Sequence, residues 1–97
     1  MPTYISLLKW TEQGIRDIKQ GPQRLEAAKQ AFSAAGGQLK QFYVVMGEYD
    51  AVVVGEFPND EACISTALAI ASRGAVRTTT LKAFTEEEYR RILAAIP

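Results

Sequence analysis

The longest strand-like pattern in the chain runs from Phe42 to Phe57, Phe-Tyr-Val-Val-Met-Gly-Glu-Tyr-Asp-Ala-Val-Val-Val-Gly-Glu-Phe. Two runs rich in β-branched and aromatic residues flank Gly47-Glu48-Tyr49-Asp50, a composition that predicts a β-hairpin. Val44 to Met46 and Val52 to Val54 are continuously apolar rather than alternating. Strands of that kind are expected to be covered on both faces.

The other elements follow from shorter signals. Tyr4 to Trp10 reads as a first strand. Thr11 can cap a short helical turn that carries Ile15 and Ile18 on one side. Gly21-Pro22 interrupts it, and Pro22 suits the first position of a new helix. Leu25, Ala28, Phe32 and Ala35 recur along that helix at helical spacing, and Gly36-Gly37 stops it. A second strand starts near Leu39 and enters the hairpin; the third ends before Pro58. Asn59 or Asp60 caps the next helix, whose buried side is expected to be Ile64, Ala67, Leu68 and Ala71, with Gly74 at its end. Val76 to Phe84 is a fourth strand. Thr85 and Glu88 form a capping box for a last helix striped by Tyr89, Ile92, Leu93 and Ile96.

This order, β-α-β-β-α-β with an added C-terminal helix, predicts an α+β, ferredoxin-like antiparallel sheet. Right-handed crossovers place both long helices on one face. The opposite face then needs a cover, because neither alternate set of strand residues is polar. A large apolar sheet face is unusual for a soluble monomer. A second copy packed sheet to sheet is expected, giving a homodimer or a higher homo-oligomer.

Composition removes several classes of function. The 97 residues suffice for one domain. Eleven basic residues balance eleven acidic ones, and none of the basic ones lies between Gln41 and Ser72. That argues against nucleic acid and anionic membrane surfaces as partners. With no histidine and one cysteine, an internal disulfide, a histidine-ligated haem and a Ser-His-Asp triad are excluded. No metal or other cofactor is expected. No stretch is long and apolar enough to span a bilayer, and Met1-Pro2-Thr3 does not begin a signal peptide, so a cytoplasmic protein is expected.

Candidate chemistry is sparse. Tyr49 and Asp50 could pair a hydroxyl donor with a carboxylate base; equally, Asp50 can close the turn while Tyr49 packs over it. Alternation sends Arg77 and Thr79 to one face of the fourth strand and Thr78 and Thr80 to the other. Facing a closed interior, Arg77 would need an anionic partner; at the sheet end it would be solvated. Trp10 and Tyr43, with Tyr4, could wall an aromatic pocket or simply fill the core. Cys63 reads as packing, and Glu86-Glu87-Glu88 as charge complementing a helix start.

Gly47-Glu48-Tyr49-Asp50 within its apolar hairpin resembles the GYD-domain family. So do Tyr4-Ile-Ser-Leu, Trp10-Thr11, Gly14-Ile15-Arg16, and Val76-Arg77-Thr78-Thr79-Thr80 leading into Phe84-Thr85. The resemblance implies the dimeric α/β-barrel group, in which two ferredoxin-like sheets pair into a barrel. That group contains cofactor-free monooxygenases, isomerases, haem-dependent enzymes and ligand-sensing domains, so no single activity is transferred. Two functions of different class follow. One is a small-molecule-binding barrel able to support a cofactor-independent reaction, with Tyr49 and Asp50 catalytic and Trp10, Tyr43, Arg77 and Thr79 on the ligand. The other is a non-catalytic regulatory or oligomerisation module in which these residues hold the dimer.

Overall fold

Strand β1 (Thr3–Trp10) opens the chain in the computed structural model, which describes Met1–Pro97. Thr11 then caps the short helix α1 (Glu12–Arg16) by accepting from the Gly14 amide at 3.1 Å. One 3-10 turn at Ile18–Gln20 leads into α2 (Gly21–Ala34), with proline in its first turn. Strands β2 (Gln38–Val44) and β3 (Ala51–Glu56) follow, then α3 (Asp60–Ala71), β4 (Val76–Ala83) and α4 (Glu86–Ala94). Asn59 caps α3 through the Ala62 amide at 2.9 Å, and the Thr85–Glu88 capping box starts α4. These caps satisfy amides that a helix start leaves unpaired.

The four strands form one antiparallel sheet in the order β2-β3-β1-β4. Tyr4 pairs with Gly55, Leu7 with Val52 and Trp10 with Val76. Tyr4, Ser6, Leu8 and Trp10 therefore share one face, and Ile5, Leu7 and Lys9 the other. The core lies on the first face, where α2 and α3 pack. Phe32 and Phe57 sit with ring centroids 4.6 Å apart, and Tyr4 meets Phe57 edge-on at 5.8 Å. Val53 and Cys63 complete this small cluster.

Two expectations are corrected here. The apolar run at Val44–Met46 does not continue β2, which ends at Val44; residues 45–50 form a loop, and Met46 is fully exposed. The loop closes through the Val45 amide to the Asp50 carbonyl, and Gly47 takes φ +123° within it, a conformation suited to glycine. Second, α3 buries Cys63 and Thr66, with Ala67 and Ile70 half-buried, while Ile64 and Leu68 are exposed. Apolar residues surround α3 on nearly every side, so their spacing does not define one face. The helix settles with its small residues against the aromatic cluster, where bulkier Ile64 and Leu68 would not fit as closely.

The last helix stands apart. None of its residues is buried, and Tyr89, Ile92 and Leu93, with Ile96 just past its end, remain 45–62% exposed. It stretches the molecule to a radius of gyration of 14.6 Å, against about 12.5 Å for a compact chain of this length. The sheet face opposite α2 and α3 is also uncovered. It carries Ile5, Leu7, Val52, Val54, Tyr43 and Leu81. No helix is long and apolar enough to cross a membrane.

One tie joins the core to the start of α3. The Tyr4 hydroxyl donates to Asp60 Oδ1, and Lys82 Nζ lies 3.2 Å from the same carboxylate oxygen. Burial, with the carboxylate beside it, pushes the Tyr4 phenol up from 10.0 to about 12. The Tyr4 hydroxyl, helped by Lys82, holds Asp60 below its usual range. A raised phenol favours the protonated form in the folded state, so its contribution is complete below pH 10 and declines as pH rises towards 12. Melting temperature should therefore fall across that interval in the wild type, and fall less in Tyr4→Phe. Thermal unfolding followed from pH 8 to 12 checks this.

Candidate functional site

Between the sheet and helices α2 and α3 lies a cavity of about 440 Å³. Its floor comes from alternate strand residues: Ser6, Leu8 and Trp10 of β1, Leu39, Phe42 and Val44 of β2, Val53 of β3, and Val76 and Thr78 of β4. Leu25, Ala28 and Phe32 supply the α2 wall, and Cys63, Ala67 and Ile70 the α3 wall. Ala28 and Ala67 leave room where larger side chains would close the gap. The interior is thus an apolar slot laid along the strands, of the volume that small-molecule sites in proteins have, about 300–1,000 Å³.

The aromatic cluster of Phe32 and Phe57 stands at one end of the slot. At the other is a knot of hydrogen bonds around Ala75. The Thr11 amide donates to the Ala75 carbonyl at 3.0 Å, and the Thr11 hydroxyl donates to the Gly74 carbonyl. Gly14 lies so close that an added Cβ would come within 2.0 Å of the Ala75 oxygen, so no larger residue fits there. Arg24 crosses to this knot, donating from Nη2 to the Gly14 carbonyl at 3.2 Å.

Burial pushes the Cys63 thiol up, with the Asp60 carboxylate adding to it. A thiol held protonated in this way is a poor nucleophile. It packs as a small hydrophobe. No cluster of three or more histidine, cysteine, aspartate or glutamate side chains has the arrangement to hold a metal ion.

The residues singled out from sequence do not converge on one place. Trp10 lines the cavity. Tyr43 pairs with Val52 and stands 52% exposed on the opposite, open face. Arg77 and Thr79 are exposed on that open face too, Arg77 opposite Lys9 and Thr79 opposite Leu7. Tyr49 is half-buried, with Lys9 Nζ 5.3 Å from its ring centroid, a cation–π contact on the same side. Asp50 bridges neighbouring strands: its Oδ2 accepts from the Trp10 amide at 3.0 Å and its own amide donates to the Leu8 carbonyl at 2.8 Å. Tyr4, considered with Trp10 and Tyr43, is a core residue.

Sequence reasoning did not single out Arg24 or Arg73, the cavity's two charged lining residues. Arg24 precedes the apolar position Leu25 and Arg73 precedes the helix-ending Gly74. No motif marks either one. Their only common signal is proximity to the Gly21-Pro22 and Gly74 breaks that bound the slot.

The matched signals now cover nearly the whole chain. The family model for the GYD domain matches residues 4–93, and the chain belongs to the GYD-domain family. A relative in Thermus thermophilus, named as a glutamine synthetase and cystathionine β-lyase binding protein, is 34% identical over 84 residues; the match spans 86% of this chain and 88% of the relative. A crystal structure of a protein from the same organism aligns over 88% of this chain and 95% of its own, with 26% identity and a TM-score of 0.56. The fold is shared more widely. A feast or famine regulatory protein from Mycobacterium tuberculosis, solved with L-methionine, aligns with a TM-score of 0.66 at 18% identity, over 88% of this chain and 51% of its own.

If Asp50 serves as the strand bridge that its bonds describe, Asp50→Asn should alter stability by less than about 1 kcal/mol, since the amide oxygen still accepts. Asp50→Ala leaves the Trp10 amide without its partner and should cost about 1–3 kcal/mol. Urea unfolding of the two variants separates these values.

Proposed function

We propose that this protein is a small regulatory binding protein, a homodimer or higher homo-oligomer whose protomers each hold one small apolar molecule between the sheet and α2–α3. The single observation that carries the reading is the cavity of about 440 Å³ in a chain with only ten buried residues. Apolar surface left facing water within the slot is stability forgone. A ligand that fills the slot and binds only the folded chain raises stability by mass action.

The lining favours binding over turnover. It contains no carboxylate, histidine or lysine to act as a general acid or base. The uncovered sheet face and the apolar stripe of α4 support the oligomer, since together they leave more apolar surface bare than one protomer covers. The name of the Thermus thermophilus relative supports a protein partner, and enzymes of the glutamine synthetase and cystathionine β-lyase kind are the ones to test.

Native mass spectrometry of the purified protein should show an assembly carrying extra mass that organic extraction removes. The stripped protein should melt lower and recover when the extract is returned. Ala67→Leu, which fills the slot from α3, should stay folded and lose the extra mass; retention by this variant would place the ligand elsewhere.

Light scattering at micromolar concentration should give about twice the 10.7 kDa chain mass or a higher multiple. Val52→Lys puts an unpaired charge on the open face and should yield monomer or unfolded chain. A folded wild-type monomer would sink the oligomer.

A further inference from the structure

We propose that the cavity selects a hydrophobic monocarboxylate, an aliphatic or aromatic body ending in one carboxylate and bearing no ammonium group. The inference rests on the cavity being a ligand site and names the chemistry that it would take. Sixteen of the twenty-two lining residues are hydrophobic, which fixes an apolar body. The only charged ones are Arg24 and Arg73. The chain has as many acids as bases, yet none of its acids lines the slot.

Neither arginine is spent on a protein carboxylate. The five ion pairs of the chain involve Arg16, Lys29, Lys82, Arg90 and Arg91. Arg24 gives one donor to the Gly14 carbonyl, which holds the guanidinium in place and leaves the rest of its fork uncommitted. A guanidinium held this way matches a carboxylate through two parallel bonds.

Both cations lie towards the same end. Arg24 reaches Gly14, Gly14 backs onto Ala75, and Arg73 stands two residues before Ala75. Trp10 pairs with Val76 beside them. Phe57 lies at the far end, just beyond Glu56, which pairs with Thr3 at the opposite end of β1. The slot is therefore cationic at one end and aromatic at the other.

Gly21 and Pro22, at the start of α2, line the slot there but offer no donor, since the Gly21 amide donates to the Ile18 carbonyl and proline has no N–H. An amino acid would satisfy the arginines but strand its ammonium, since no acid lines the cavity. An alcohol of the same body would offer the half-buried Arg24 and the exposed Arg73 no negative charge to meet.

Octanoate, 1-octanol and 2-aminooctanoic acid test this on the full chain by calorimetric titration. Trp10 gives a second readout, because it is the single tryptophan and lines the slot. Octanoate should bind saturably and shift Trp10 fluorescence. The alcohol and the amino acid should bind at least about tenfold more weakly, the scale of losing hydrogen bonds to a charged group. Arg24→Gln and Arg73→Gln should each weaken octanoate by about that factor and leave 1-octanol unchanged. If Arg24→Gln loosens the Gly14 contact and melts early, Arg73→Gln carries the comparison.

Equal binding of octanoate and 1-octanol, or unchanged octanoate affinity in Arg73→Gln, overturns the carboxylate proposal and leaves the cavity as an apolar site. Tighter binding of the amino acid overturns it in favour of a zwitterion. No binding of any of the three, with a silent Trp10, overturns the proposal and the proposed binding function together.

Discussion

A four-stranded sheet has two faces, and this chain has helices for only one of them. Both faces are apolar, because β1 and β3 alternate between residues such as Tyr4, Leu8 and Val53 on one side and Ile5, Leu7, Val52 and Val54 on the other. Hydrophobic burial is the main favourable term in folding and scales with area removed from water. Helices α2 and α3 supply that burial on the first face, but with alanines over its middle they supply it incompletely. The slot and the bare outer face are two results of the same shortage.

The two ends of the slot are built by different means. At one end, the ring of Phe57 meets Tyr4 edge-on and packs tilted against Phe32. At the other, the Thr11 amide and hydroxyl donate to the Ala75 and Gly74 carbonyls just before β4. The first end depends on packing and the second on directional bonds. A space already formed in this way would spare any occupant the cost of ordering the walls.

Most of the architecture was legible because it rests on local signals that agree with each other. Thr11, Asn59 and Thr85 cap helices as their types suggest, and Gly36 and Gly74 take positive φ at helix ends. The helix α3 was legible in extent and not in orientation, since a helix apolar all round has no phase to read. The slot was hidden for a related reason. Residues such as Phe32, Val53 and Ile70 look alike whether they fill a core or line a space within it. Strand parity could separate Trp10 from Tyr43 only once register was known, and register is set by pairing between distant segments. Asp50 stood out as a rare polar residue in an apolar hairpin, but its partner amide belongs to Trp10, forty residues earlier.

The irregular step in β2 has a consequence for how copies of this chain can meet. Strands β2 and β4 are the two edges of the sheet, and each edge exposes backbone groups that another strand could extend. The pairing of β2 with β3 shifts between Leu39 and Gln41, leaving Lys40 outside the regular ladder. Such a bulge twists the edge and interrupts its row of donors and acceptors, and a lysine there repels a matching strand. On β4, Arg77 and Lys82 add charge along the other edge. End-to-end growth into a continuous ribbon is thus disfavoured on both sides. Charge and the bulge guard both edges of an apolar sheet against strand-by-strand aggregation, while its open face stays uncovered.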